Sequence, residues 1–435
     1  MQSNHSEMIV DLRQMIIAIE TAVSLVGMND TNHGKRVGYI ACQIGKQLGF
    51  SDSDVQYAFE LGMLHDCGVS TNQMHANLVN YFDWNDAHIH CEIGCRLLNN
   101  FEPLSKYALP ILHHHTPYID LAGLQLSMRD MRMANLIFLS DRVDVLAASH
   151  YKNDILLARQ EILQTIIGKY NNTYFDPELV NAFELVQRSE AFWIGLDDRH
   201  IVRYVWDMGL LDNNQPLNLQ QLKQLSLILS YIVDQKSPFT AQHSLSVAEL
   251  AFHLAHAYGL SASQCQKVEI AGLLHDLGKL HTPDTILEKP GPLDDVERSI
   301  MNQHSYETYE ILRHIQGLEE IASWAAFHHE GLNGGGYPFH PQERDLSTEA
   351  RIIAVADVFQ ALVQDRPYRP SMSLPQVLNI LAGQVRIGKL DKAIVALANQ
   401  QADQCFAIAK GRDTFSDTSQ LYKNLFSPDS NKFDS

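Results

Sequence analysis

Apolar residues recur along most of this chain at the three-to-four-residue spacing that places them on one face of a helix. The clearest such face ends at position 277, and its apolar residues are Ile270, Leu273, Leu274 and Leu277. Similar stripes occupy 8–27, 33–48 and 217–234, and two further helices are predicted over 374–385 and 387–412. Strand-type alternation is scarce, and Gly and Pro concentrate between the helical stretches. The pattern predicts an all-α fold.

The chain also contains an internal duplication, because the same polar residues return at a nearly constant offset of about 210 to 216 positions. The matched pairs are His33 with His243, His65-Asp66 with His275-Asp276, His90 with His304, His114-His115 with His328-His329, and Asp141 with Asp357. Two tandem domains of one fold are therefore expected. Their predicted limits are 1–190 and 217–435, with a packed connector over 191–216.

His275 and Asp276 stand at the end of the apolar face, and they are the first candidates for chemistry. Adjacent helical residues point about 100° apart, so both can serve one site only if that site lies between their two directions. A metal ion or a metal pair meets this condition. Imidazoles and carboxylates are the ligands that Fe, Mn or Zn accept, and the other matched His and Asp residues supply more of them.

The segment 328–338 carries the most specific motif, a His-His-Glu followed by a glycine-rich loop that ends in Tyr337-Pro338. It resembles the HHExxxGxGYP signature of the HD-GYP family, whose members are cyclic-dinucleotide phosphodiesterases. Asp357-Val358-Phe359 and the later Arg366-Pro367-Tyr368-Arg369 are similar to the family's next block. The resemblance covers roughly 235–375, and it implies two tandem HD-type helical domains.

The resemblance also implies a centre of two divalent transition metal ions, Fe or Mn first, with Zn, Ni or Co also compatible. One ion would be held by His243, His275, Asp276 and Asp357. The other would be held by Asp276, His304, His328 and His329. Asp276 would bridge the two ions together with a hydroxide that attacks phosphorus. Family members with three metals carry a glutamate where this chain has Phe239, so two ions are expected.

Around that centre the resemblance suggests residues that would bind the substrate. Asp276 and Lys279 would be catalytic, with Lys279 on the scissile phosphate. The other substrate contacts would come from Gly335, Gly336, Tyr337, Arg366 and Arg369. The N-terminal half has a possible second metal site formed by His33, His65, Asp66, His90, His114, His115 and Asp141. It has Val69 in place of Lys279 and no Gly-Tyr-Pro loop, so a regulatory or dimerising role is expected, through a homodimer or a protein partner.

Composition narrows the functional classes. A formal charge of −18 argues against binding a nucleic-acid polymer. No leader pattern and no apolar run of about 18 residues is present, which predicts a cytoplasmic protein with no membrane span. Three functions stay open: hydrolysis of cyclic di-GMP or 3',3'-cyclic GMP-AMP to a linear dinucleotide, non-hydrolytic binding of a dinucleotide or a protein partner, and hydrolysis of dNTPs or a linear nucleotide, which the loop disfavours.

Overall fold

The computed structural model describes residues 10–27, 32–80, 87–152, 154–209, 215–237, 242–365 and 369–411. This part of the chain is almost entirely helical. Its one strand pair joins Val10–Asp11 antiparallel to Pro216–Leu217. The predicted all-α class is confirmed. None of the described helices is long and apolar enough to cross a bilayer.

The chain divides into two compact units. The N-terminal unit comprises residues 12–69 and 73–215, and the C-terminal unit comprises 216–435 together with 1–11 and 70–72. The helices of the first half are α1 Leu12–Ser24, α2 His33–Gln47, α3 Asp52–Leu64, α4 Asn72–Asn80, α5 His88–Asn99, α6 Glu102–Ser105, α7 Ala108–Leu112, α8 Tyr118–Leu121, α9 Met128–Ala147, α10 Ile155–Thr165, α11 Pro177–Val186, α12 Glu190–Ile194 and α13 Asp198–Gly209. Residues Leu25–Gly27 and Ala148–His150 form 3-10 turns, and Ile166–Tyr170 forms a π-helix.

The second half repeats the helical character of the first. Its helices are α14 Leu219–Asp234, α15 His243–Tyr258, α16 Ala262–Leu274, α17 Asp284–Leu287, α18 Asp295–Asn302, α19 His304–Leu312, α20 Glu319–Ala326, α21 Thr348–Val363, α22 Leu374–Arg386, α23 Lys392–Gln400 and α24 Ala402–Ala409. The 3-10 turns are Leu277–His281, Phe327–His329 and Glu343–Asp345.

The predicted helix over 387–412 is wrong in two respects: its helical part begins only at Lys392, and it is divided into α23 and α24 at Gln401, whose φ of −114° and ψ of 33° are not helical. Gly388 adopts a φ of +73°, which turns the chain away from helical geometry. Asp391 then caps α23 by accepting from the backbone N–H groups of Ala393 and Ile394. The spacing of apolar residues alone does not predict where such a helix begins or is interrupted.

The predicted connector 191–216 is packed in the part that the structure describes, and its described residues before Pro216 are grouped with the N-terminal unit. Trp193 is fully buried, and its indole N–H donates to the carbonyl of Gln187 at 2.9 Å. Phe192 stacks on Tyr39 with ring centroids 5.9 Å apart. This stretch is therefore part of the hydrophobic core, and the aromatic residues that suggested a packed connector are the reason.

The core of the C-terminal unit fixes where α16 ends. Ser261 and Gln264 form a capping box at the start of the helix. Leu273 packs in one buried cluster with Leu227, Leu245 and Ala248 of the neighbouring helices. These contacts hold the last turn of α16 against α14 and α15. The positions of His275 and Asp276, which follow that turn directly, are therefore fixed.

Gly278 controls the next step of the chain. A Cβ atom at this position would lie 2.0 Å from the carbonyl oxygen of His304 and 2.8 Å from the backbone nitrogen of Thr308. The Thr308 hydroxyl accepts from the Gly278 N–H at 2.9 Å and donates to the His275 carbonyl at 3.1 Å. Gly278 is thus required for the close approach of the 3-10 turn to α19, which brings His304 to His275.

We expect Gly278→Ala to lower the free energy of unfolding by about 3 kcal/mol, the upper range for overpacking, because backbone atoms are the obstacle. Thermal and urea unfolding measure this. Gly291→Ala is the matched control, since a Cβ there meets nothing within 4 Å. Equal stability of the two variants would contradict the close approach.

Candidate metal centre

Separate elements of the C-terminal unit bring the predicted ligands together. His243 is the first residue of α15, and His304 is the first residue of α19. His275-Asp276 follow α16 directly, His328-His329 end a 3-10 turn, and Asp357 lies within α21. All are buried except His329, whose side chain is 25% exposed.

The carboxylate of Asp276 stands between two groups of imidazoles. Its Oδ2 is 3.3 Å from Nε2 of His243 and 3.3 Å from Nε2 of His275. Its Oδ1 is 3.6 Å from Nε2 of His304 and 3.8 Å from Nε2 of His328. One carboxylate therefore faces both groups, one oxygen to each.

Asp357 closes the other side of the centre. Its Oδ1 lies 3.6 Å from Nε2 of His243 and 3.9 Å from Nε2 of His275. Its Oδ2 lies 3.9 Å from Nδ1 of His329. The two carboxylates thus span the same two imidazole groups.

Hydrogen bonds on the outer ring nitrogens orient these imidazoles. Nδ1 of His275 donates to the Gly272 carbonyl at 2.7 Å, and Nδ1 of His304 donates to the Met301 carbonyl at 2.6 Å. Nδ1 of His328 donates to the Ala325 carbonyl at 2.6 Å, and Nδ1 of His243 donates to Oε1 of Gln360 at 2.6 Å. Each Nε2 then presents a lone pair to the interior, as in metal-ligating histidines. Nε2 of His243 and His275 and Oδ1 of Asp276 are buried without a hydrogen-bond partner. Such atoms are costly unless a cation binds them, so the donor set fits a metal.

The protonation states agree with that use. Burial lowers the pKa of His304 to about 4 and the pKa of His328 to about 3, so both are neutral at physiological pH. Burial alone would lower the pKa of His275, but the Asp276 carboxylate raises it above its usual value. Burial also opposes ionisation of Asp276, yet His275 and Lys279 hold the pKa of that carboxyl well below its usual range. An ionised carboxylate beside the neutral imidazoles of His304 and His328 is the form that binds metal, and a cation bound at Nε2 of His275 would replace the proton that Asp276 favours there.

Two of the residues predicted to bind substrate, Lys279 and Tyr337, lie against the side chains of this centre. Lys279 is not on a continuous α-helix with His275, but its ammonium still pairs with Oδ2 of Asp276. The ring of Tyr337 lies 4.8 Å from that of His329 and 6.2 Å from that of His304, measured between centroids. Gly336 is required there, because a Cβ would lie 2.4 Å from the His329 carbonyl oxygen.

The glycine-rich loop is fastened at three points. Glu330 is buried, and its Oε1 accepts from the backbone nitrogens of Phe339 at 2.6 Å and His340 at 3.2 Å. The Asn333 amide donates to the Ile387 carbonyl at 2.8 Å and accepts from the Gly335 N–H at 2.9 Å. The carboxylate of Glu330 therefore closes the loop through one of its oxygens.

The two predicted arginines differ in what the structure says of them. Arg366 and Phe239 lie outside the described residues. Arg369 donates from Nη2 to the carbonyl of Ala361 at 2.5 Å, near the end of α21. This contact holds the guanidinium on the helix terminus.

The N-terminal unit contains a related but altered cluster. Asp66 again faces two groups, with Oδ1 3.4 Å from Nε2 of His90 and Oδ2 3.4 Å from Nε2 of His65. His33 and His115 approach Asp141, at 3.3 Å and 3.9 Å. The positions predicted as a possible second metal site are therefore brought together.

Three residues that the sequence analysis did not single out set this cluster apart. Arg142 donates to Asp141 Oδ2 at 2.8 Å, where the C-terminal half has Val358. Asp144 accepts from Nδ1 of His33 at 2.7 Å, where the C-terminal half has the neutral Gln360. Cys91 lies among His90, His114 and His115, with all four donor atoms within 4.8 Å of one another. Comparison of the two halves position by position would have revealed all three.

Comparison with known proteins agrees with this fold. The family model described as HD domain matches residues 228–394. The chain is 37% identical over 413 residues to 3'3'-cGAMP-specific phosphodiesterase 1 of Vibrio cholerae, which covers 94% of this chain and 96% of that protein. The chain belongs to the HD-GYP family of cyclic-dinucleotide phosphodiesterases, with tandem HD domains of which the N-terminal one lacks the Gly-Tyr-Pro motif.

Other relatives match a smaller part of their own length. A second cGAMP-specific phosphodiesterase of V. cholerae, number 3, is 33% identical over 58% of this chain and 55% of that protein. A cyclic di-GMP phosphodiesterase of Pseudomonas aeruginosa is 33% identical over 37% of this chain and 39% of that protein.

The crystal structure of a cyclic GMP-AMP specific phosphodiesterase of V. cholerae superposes with a TM-score of 0.64 at 24% identity, covering 91% of this chain and 98% of that chain. This superposition supports the tandem fold.

Asp234, at the end of α14, generates a pH prediction. It is buried and accepts from the Ser244 hydroxyl at 2.8 Å. Burial, with the nearby Asp276 charge, raises its pKa to about 8. Between about pH 4 and pH 8 the folded chain keeps a proton that the unfolded chain releases, so the folded state binds more protons and stability falls as pH rises through this window.

The protein is first freed of metal with a chelator. We then expect Asp234→Asn to remove a pH dependence of the free energy of unfolding of up to about 1.4 kcal/mol per pH unit between pH 5 and 7. Urea unfolding of wild type and Asp234→Asn at pH 5, 6 and 7 gives the free energy of unfolding against pH for each protein. The difference between the two slopes reports Asp234, because the other titrating groups contribute equally to both. Parallel profiles would show that Asp234 is ionised in the folded state.

Proposed function

We propose that the C-terminal unit hydrolyses 3',3'-cyclic GMP-AMP to a linear dinucleotide. The observation that carries the proposal is the Asp276 carboxylate, which faces two imidazole groups and pairs with the Lys279 ammonium. Two divalent cations held by these ligands, Fe or Mn by their nitrogen and oxygen donors, would supply an activated water and neutralise phosphate charge. A chain of net charge −18 needs such local positive charge to attract a phosphodiester.

Lys279 supplies the fixed positive charge at this place. Its side chain is 15% exposed, so the ammonium reaches the substrate side while it still contacts Asp276. A phosphate oxygen bound beside Asp276 would accept from the same ammonium. Lys279 therefore orients the scissile phosphate and stabilises the charge that develops on it in the transition state.

The glycine-rich loop shapes the approach to the phosphate. Tyr337 covers the rings of His304 and His329, and the buried carboxylate of Glu330 ties the two ends of the loop together. A loop held in this way presents its backbone and the Tyr337 ring without a large loss of entropy on binding. We assign Gly335, Gly336 and Tyr337 to the wall that holds the nucleotide.

The choice of 3',3'-cyclic GMP-AMP over cyclic di-GMP follows the relative that matches along nearly the whole chain. The cyclic di-GMP relative of P. aeruginosa matches over only 37% of it. The amide N–H and the amide oxygen of Asn333 each make a hydrogen bond within the protein. The side chain of Asn333 therefore holds the loop.

The test is a substrate panel with two matched variants. Wild type loaded with Mn or Fe should linearise 3',3'-cyclic GMP-AMP faster than cyclic di-GMP and leave dNTPs intact, as measured by chromatography of the products. Asp276→Ala should reduce turnover to background, because both imidazole groups lose the carboxylate that they share. Asp66→Ala, the equivalent change in the N-terminal unit, should leave most of the turnover.

Other results would each overturn part of this proposal. Tight binding without turnover in wild type would make the protein a signalling module that only binds its ligand. Loss of turnover in Asp66→Ala with retention in Asp276→Ala would place the active site in the N-terminal half. Faster cleavage of cyclic di-GMP would reverse the assigned substrate.

We expect Lys279→Val, which copies Val69 of the N-terminal half, to lower kcat by about 10²- to 10³-fold with a smaller change in KM, because the lost ammonium acts on transition-state charge. Steady-state kinetics measure the two constants. Lys289→Ala is the control, since Lys289 pairs with Glu297. If both variants lowered kcat equally, Lys279 would act only through the overall charge of the protein and not on the scissile phosphate.

A further inference from the structure

The N-terminal unit holds four close donor atoms that differ in chemistry from those of the C-terminal centre. His90, Cys91 and His114 are fully buried, and the side chain of His115 is 7% exposed. Their three imidazole nitrogens and one thiol sulfur all lie within 4.8 Å of one another. The equivalent of Cys91 in the C-terminal half is Ser305, whose hydroxyl lies 3.3 Å from Nε2 of His304. A hydroxyl is not an ordinary zinc ligand, but a thiolate is.

Two of the distances between these donors match a tetrahedral zinc ion, and all of them are at most 4.8 Å. Zinc bonds of about 2.0–2.1 Å to nitrogen and about 2.3 Å to sulfur place neighbouring donors about 3.3 Å apart for two nitrogens and about 3.6 Å apart for nitrogen and sulfur. Nε2 of His90 and Nε2 of His114 are 3.2 Å apart, and Sγ of Cys91 is 3.7 Å from Nε2 of His90. The Nδ1 of His114 donates to the Ile111 carbonyl at 2.6 Å, so its Nε2 presents a lone pair to the other donors.

We propose that His90, Cys91, His114 and His115 form a zinc centre with three imidazole ligands and one thiolate. The thiol of Cys91 releases its proton to solvent when the ion binds, and the thiolate makes the centre softer than the nitrogen and oxygen set of the C-terminal unit. Four protein ligands complete the coordination of zinc and leave no position for a substrate, so the centre stabilises the N-terminal unit and does not catalyse.

A second observation opposes a metal pair in this unit. The Arg142 guanidinium is buried, and its Nη2 and Nε lie 2.8 Å and 3.0 Å from Oδ2 of Asp141. Asp141 corresponds to Asp357, which would help to hold the first ion in the other half. A permanent positive charge on this carboxylate disfavours a cation beside His33 and His65. The charge of Arg142 therefore leaves the thiol-containing group as the position for one ion.

Cobalt substitution tests the thiolate directly, independently of turnover. The full chain loaded with Co²⁺ should show a near-ultraviolet sulfur-to-cobalt charge-transfer band. Cys91→Ser, which copies Ser305, should lose the band and keep the phosphodiesterase activity. Cys95→Ser is the matched control, because Cys95 is a buried thiol one turn further along α5, and it should keep the band.

Zinc itself provides a measurement on wild type that does not depend on the folding of a variant. X-ray absorption at the zinc edge should show a sulfur neighbour at about 2.3 Å. Added zinc should raise Tm more in wild type than in Cys91→Ser, because the ion binds only the folded site. Absence of sulfur in the zinc shell, retention of the cobalt band in Cys91→Ser, or its loss in Cys95→Ser would each overturn the proposal.

Discussion

The sharing of one carboxylate by two imidazole groups is the constraint on which the C-terminal unit depends. Asp276 faces the second group only because α19 lies against the turn that follows α16, at a distance that excludes any side chain at Gly278. The same contact recurs in the N-terminal unit, where a Cβ at Gly68 would lie 2.1 Å from the carbonyl of His90. The duplicated element is therefore a packing geometry as much as a set of ligands.

The two halves use that geometry differently because their surrounding charges differ. In the C-terminal unit, neutral Gln360 orients His243, and the partly exposed Lys279 pairs with Asp276. In the N-terminal unit, Asp144 takes that orienting role, and the Arg142 guanidinium occupies the carboxylate that corresponds to Asp357. In the N-terminal unit, the charge of Arg142 balances the Asp141 carboxylate, and the Asp144 carboxylate binds the ring of His33. These pairs balance the charges that a second metal ion would otherwise balance.

The sequence predicted the helical class and the duplication well, since both rest on spacing that survives in three dimensions. The residues that would hold metal were predicted because a constant offset links them, and the structure brings each set to one place. Cys91 was not predicted as a ligand, because the constant offset links identical residues and the counterpart of Cys91 in the C-terminal half is Ser305. The need for glycine at position 278 could not be predicted, because it comes from the close approach of the turn to α19, which only packing reveals. The aromatic residues around Trp193 indicated packing, but not which core they join.

The closure of the glycine-rich loop by Glu330 has a consequence for how the two halves diverged. Since Glu330 contacts the backbone of both Phe339 and His340, the two ends of the loop lie side by side. An excursion whose ends meet can be inserted or deleted without moving the helices on either side. The duplicated scaffold can therefore carry the glycine-rich loop as an insertion, and one copy has it while the other folds without it.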